Sequence, residues 1–143
     1  VMISLLSFMV GILSASPMKR DTAKERKFEE LRNQILIEKL ALTEQEQKDF
    51  LPLYNEYKTK EGEISKKIRR TVRSSQKEGV TEAEAKAFLV KLKKLNLEKA
   101  NLFSTYSDKF SAVLPATKVV KLYAVEREIR KILMSKIRER KGK

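Results

Sequence analysis

At 143 residues, with 41% apolar and 36% charged side chains, four glycines and three prolines, the chain has room for one domain and favours helix over sheet. With no cysteine it can form no disulfide, thiolate metal site, thiol nucleophile or lipoprotein anchor, and with no histidine it lacks the commonest metal ligand and general base. Lys and Arg outnumber Asp and Glu 32 to 19, a formal net charge of +13, so the expected partners are anionic: nucleic acid, acidic lipid or acidic protein segments.

The chain opens on VMISLLSFMVGILSAS, an apolar run from Met2 to Leu13 followed by small residues and then by charge. A run of about a dozen is too short to span a bilayer and has the length of a secretory core, so residues 1–16 are expected to be a cleaved signal peptide and residues 17–143 a single helical domain. The competing readings are an apolar helix that packs on the rest and an uncleaved anchor. After cleavage no transmembrane span is expected.

From Thr22 to Ala41 the apolar positions Phe28, Leu31, Ile35, Leu36 and Leu40 recur at spacings of three and four, which predicts a first helix over 22–41. Thr43 followed by Glu46 is a capping box, so a second helix starts at Glu44. Its stripe runs through Phe50, Leu53, Tyr54, Tyr57, Ile64, Ile68 and Val72 to the stop signal Gly79, predicting 44–77. Pro52 lies beyond the first turn, removes one backbone hydrogen bond and should bend this helix. Thr81 and Glu84 form a second box, and Phe88, Leu92, Leu95, Leu102, Tyr106, Phe110 and Val113 carry a third helix over 82–112. A fourth, over 115–138, has Pro115 at its start and Val119, Leu122, Tyr123, Ile129, Leu133 and Ile137 on one stripe; the basic tail RERKGK is expected to fray. No segment alternates with period two, so the fold class is all-α with four helices.

The stretch LTEQEQKDFLPLYNEY, residues 42–57, has an echo in LPATKVVKLYAVE, residues 114–126, which reads equally as internal repetition or as two similar helix starts. Together with the leader and the basic second helix, these motifs resemble the Spy/CpxP-type family of small periplasmic proteins, named for paired LTxxQ motifs, and in particular its variants described as sensors of extracytoplasmic-function sigma factors. The resemblance covers roughly residues 31–137 and rests on the spacing of Leu42, Thr43, Phe50, Pro52, Tyr54 and Tyr57. In the first motif Glu46 stands in the Gln position and Leu51 in that of a tryptophan; in the second Leu114 is kept, with Pro115 for Thr and Lys118 for Gln. The resemblance implies a four-helix protein that dimerises into a curved cradle. Some members bind metal through His or Cys, and this chain has neither, so no metal and no cofactor is expected.

Between residues 58 and 77 eight basic side chains face Glu61 and Glu63. Lys66, Arg69, Arg70 and Arg73 can share a face beside the Ile64, Ile68 and Val72 stripe, and together with Lys67, Ile64 and Ile68 they read either as a solvated surface or as one that steers and holds a client chain. The aromatics Phe50, Tyr54 and Tyr57, and likewise Phe103, Tyr106, Phe110 and Tyr123, are expected to fill the core or a dimer seam. The carboxylate pairs Glu82/Glu84 and Glu126/Glu128 lack an apolar pocket or a histidine partner, and the glycines form no phosphate loop, so no enzyme is expected. Three functions remain: an ATP-independent periplasmic chaperone binding unfolded or partly folded proteins; an envelope-stress sensor that binds a membrane signalling or anti-sigma protein; and, if the leader is not a signal peptide, a nucleic-acid binder. The last lacks a short recognition helix.

Overall fold

The computed structural model describes residues 22–141; the leader expected at 1–16 lies outside them. Among the described residues there are four α-helices and no strand: α1 (Thr22–Leu40), α2 (Glu44–Ser75), α3 (Glu82–Ser111) and α4 (Ala116–Lys141). None is long and apolar enough to cross a membrane.

The helix starts follow from local chemistry. At α2 the Thr43 hydroxyl accepts the Glu46 amide at 3.2 Å while the Glu46 carboxylate accepts the Thr43 amide at 2.8 Å. Thr81 and Glu84 repeat the arrangement at α3. Each box satisfies two amides that a helix otherwise leaves open. At α4 the Pro115 carbonyl accepts the Lys118 and Val119 amides, so Pro115 sits one position outside the helix. The helix ends differ from expectation in instructive ways. α1 closes through Ala41 at φ 48°, with Ala41 N–H bonded to the Glu38 carbonyl and Leu42 N–H to that of Ile37. This is a Schellman closure with alanine where glycine is usual. α4 does not fray at 138 but continues to Lys141, because Arg and Lys are good helix formers and favour a helix C-terminus. α2 continues without interruption through Pro52, its ninth residue, whose ring is exposed.

α2 and α3 form a long antiparallel hairpin: Phe50 meets Phe110, Tyr57 meets Phe103, and Ser65 meets Lys99. At about 1.5 Å per residue each helix is roughly 45 Å long. The core occupies only one end of it. Leu36 and Leu40 of α1, Phe50, Tyr54 and Tyr57 of α2, Tyr106 and Phe110 of α3, and Val119, Leu122, Val125 and Ile129 of α4 converge there, with Leu42 and Leu114 from the connections. Toward the turn, only Ile64, Thr71 and Leu95 are buried. The molecule is thus a four-helix base carrying a two-helix arm.

Two residues of the apolar stripes, Tyr123, read as core or dimer seam, and Val72, lie outside the core of the chain. Tyr123 is 54% exposed, because the α4 face that packs inward runs through Leu122, Val125 and Ile129; Val72 is 43% exposed, because nothing among the described residues covers the arm on that side.

Candidate functional site

The arm carries most of the expected binding residues. Lys66, Lys67, Arg69, Arg70 and Arg73 are exposed along α2, where Lys66, Arg70 and Arg73 fall four and three residues apart on one stripe, and exposed Lys77 follows just past the helix end. The facing helix adds an exposed stripe of alternating character, Lys86, Val90, Lys93 and Leu97, with Lys91, Lys94 and Leu89 beside it. Between residues 64 and 97 ten basic side chains stand against three acidic ones, Glu78, Glu82 and Glu84. Lys66, Arg69 and Arg70 have no ion pair among the described residues, while Lys86 has a loose, solvent-exposed contact with Glu82 at 3.8 Å. The apolar component differs from the one read in the sequence. Ile64 is buried against α3 and Ile68 is half-buried, so they hold the hairpin together; the apolar surface open to a partner is that of Leu89, Val90 and Leu97. Periodicity could not separate these, because both flanks of a two-helix arm carry apolar residues at helical spacing.

The residues that carry the motif resemblance gather at the base. Leu42 and Leu114 are both buried, Thr43 is a cap, and Phe50, Tyr54 and Tyr57 are in the core. Pro52 is exposed and Pro115 opens α4. The two altered Gln positions meet: Lys118 donates to the Glu46 carboxylate at 2.6 Å and to the Ala41 carbonyl at 2.7 Å. Those hydrogen bonds, from Lys118 first and from the Thr43 amide second, hold the Glu46 carboxyl below its ordinary value. Eight residues further along each motif, Tyr54 and Glu126 meet in the same way, the tyrosine hydroxyl donating to the carboxylate. Burial pushes the Tyr54 hydroxyl far up, with the Glu126 charge adding to it, so it stays a donor. Both pairs are 72 residues apart in sequence. Equivalent positions of the two motifs therefore face each other across the base, as expected for an approximate two-fold relation.

A charge network that the sequence reading missed lies at the root of the arm. Lys58 bridges Glu61 and Glu126, the second at 3.4 Å, and Lys99 pairs with Glu61 at 3.3 Å and bonds the Ser65 hydroxyl at 3.1 Å. Burial raises the Glu61 pKa, but Lys58 and then Lys99 outweigh it and hold the carboxyl below its ordinary value. Glu126 thus has partners after all, a tyrosine and a lysine in place of the histidine sought. Carrying the 72-residue echo on from Glu46/Lys118 to Tyr54/Glu126 would have found that pair; nothing in the sequence marks Lys99. No family model, no curated protein and no solved structure matches the chain.

Proposed function

We propose that the protein is a non-enzymatic, ATP-independent chaperone-like binder that captures unfolded or partly folded proteins on its basic, partly apolar arm. One observation carries this reading: each helix of the two-helix arm turns a cationic stripe outward, Lys66, Arg70 and Arg73 on α2, and Lys86, Val90, Lys93 and Leu97, where cationic and apolar side chains are interleaved, on α3. Long-range charge raises the rate at which a partly acidic chain arrives, and modest apolar contact sets how long it stays. Scattered apolar side chains set among charges give weak, reversible contacts that need no nucleotide for release.

The Spy/CpxP resemblance agrees with this reading and adds the rest of the proposal: a periplasmic location after removal of residues 1–16, and a homodimer whose base and arms form a curved cradle, with α2 bent at Pro52. Charge bears on the dimer seam. Two arms of like sign repel, so the seam belongs at the base, where acidic and basic residues are paired.

The deciding experiment is suppression of aggregation of an unfolding test protein by the purified chain, without nucleotide, across a salt series. Stoichiometric protection that weakens as salt rises supports the proposal. Absence of protection at every salt concentration rejects general client capture. It would favour the sensor reading, in which the same arm binds one membrane signalling or anti-sigma protein. Retention of duplex DNA by the arm at physiological salt would favour the nucleic-acid reading.

A further inference from the structure

Where α4 meets the hairpin, the helices leave an open cleft of about 350 Å³, at the lower end of the range for small-molecule sites. It lies at the base, apart from the binding stripes of the arm. Its apolar lining is aromatic: Phe103 stands edge-on to Tyr123 with ring centroids 4.8 Å apart, and Tyr57 lies 5.7 Å from Phe103. Flat rings in that arrangement favour another flat apolar group.

The polar groups of the cleft fall into two sets. Glu61 and Glu126 are already engaged, Glu61 with Lys58 and Lys99, Glu126 with Lys58 and the Tyr54 hydroxyl. Beside the exposed Tyr123 hydroxyl at the rim, two groups are not engaged. Tyr57 is only 5% exposed, its hydroxyl opens to the cleft and it has no hydrogen-bond partner among the described residues; Arg130 lines the same cleft and makes no ion pair among them. Burial pushes the Tyr57 hydroxyl far up, with the Glu61 and Glu126 charges adding to it, so it stays protonated. Both groups are donors open to the cleft, so each can give a hydrogen bond to an acceptor placed there in exchange for one to water. In the lining Lys99 and Arg130 balance Glu61 and Glu126, and Lys58, paired with both carboxylates from outside the lining, tips the local charge positive. A ligand matched to the cleft therefore brings an anionic acceptor on a flat apolar body.

We propose that this cleft binds a small aromatic carboxylate, its ring against Phe103 and Tyr123 and its carboxylate accepting from the Arg130 guanidinium and the Tyr57 hydroxyl. A planar guanidinium matches a carboxylate in shape as well as charge, so Arg130 sets the preference and the rings set the affinity. Cationic aromatics are disfavoured, because the carboxylates that would attract them are held by lysines of the protein itself.

The test is a titration of the full chain with 3-phenylpropionate, followed by amide NMR shifts, beside phenethylammonium and acetate. A ligand of this size should saturate with a dissociation constant of about 0.1–5 mM. The shifts should centre on Phe103, Tyr123 and Arg130, and neither phenethylammonium nor acetate should reproduce them. Arg130→Ala, at an exposed position, should weaken binding about tenfold with Arg130→Lys between, and Tyr57→Phe should weaken it several-fold while the spectrum stays that of a folded protein. Equal binding of phenethylammonium or acetate, shifts confined to the arm, or unchanged affinity in Arg130→Ala would overturn the assignment. So would no saturable shift at the cleft in the folded protein. None of these outcomes bears on client capture, which is read by aggregation and resides on other residues.

Discussion

Phe110 is fully buried, with Phe50 edge-on at 5.1 Å and Tyr54, Tyr57 and Tyr106 around it. Removing its ring leaves a void that the surrounding aromatics cannot close, so Phe110→Ala should cost about 3–5 kcal/mol in urea unfolding. Leu97→Ala, at a side chain 62% exposed, should stay within about 0.5 kcal/mol, and a large loss there would mean that the arm is covered. The Glu46–Lys118 pair gives stability a pH dependence of known sign. Its carboxyl is held below the ordinary 4.5 in the folded state, so its contribution is complete above pH 4.5 and disappears as pH falls through the folded value. Lys118→Met should therefore lower the urea midpoint at pH 7 and flatten its decline between pH 5 and the acid limit; a parallel decline in both proteins would remove the pair as its source. Among single residues, helical spacing in the sequence identified the buried aromatics Phe50, Tyr54, Tyr57, Tyr106 and Phe110. It left Tyr123 between core and dimer seam, because a stripe gives the direction of a helix face without saying how wide a sector the neighbours cover; within the chain Tyr123 is exposed.

Three small residues test how each helix is held. Ala41 closes α1 at φ 48° and Gly79 turns the hairpin at φ 79°, whereas Gly62 sits inside α2 with nothing within 4 Å of where a Cβ would lie. The left-handed region costs an alanine roughly 1–2 kcal/mol, and a glycine inside a helix costs about 0.5–1 kcal/mol relative to alanine. Ala41→Gly and Gly62→Ala should therefore each stabilise the protein by about 1 kcal/mol, while Gly79→Ala should destabilise it by at least as much, all read as shifts in unfolding midpoint. Opposite signs for the two glycine replacements distinguish backbone conformation from packing, since neither added methyl meets a neighbour. The starts of α2 and α3 were legible because Thr43/Glu46 and Thr81/Glu84 are side-chain devices, and the hairpin turn because Gly79 is punctuation. The end of α1 was not, since alanine gives no sign of a left-handed turn. It is held there by tertiary contacts: Lys118 bonds the Ala41 carbonyl, and the next residue, Leu42, is buried.

The whole molecule divides by thickness. Its base is four helices deep around a continuous aromatic and aliphatic core, while the arm has two helices, three buried side chains and an excess of positive charge. The sequence could not disclose this division: Ile64, Ile68 and Val72 continue the α2 stripe, and Phe88, Leu92 and Leu95 that of α3, as though a third layer lay over them. A pattern of that kind records which way each helix faces, not how many helices receive it. The consequence is a gradient of local stability. Amides between about residues 67 and 92 should exchange with deuterium through local openings, with free energies about 2 kcal/mol or more below those of amides around Phe50, Tyr106 and Leu122. Like charges along both arm helices contribute to that looseness, and mobile ions screen them. Raising salt from roughly 0.02 M to 0.3 M shortens the screening length several-fold, so arm exchange should slow while base exchange changes little. An arm protected as strongly as the base, or one indifferent to salt, would mean that another surface covers and neutralises it. If the arm captures clients as proposed, charge-driven loosening would let it adapt its side chains to clients of different sequence, and salt would act on capture twice, by screening the approach of the client and by stiffening the surface that receives it.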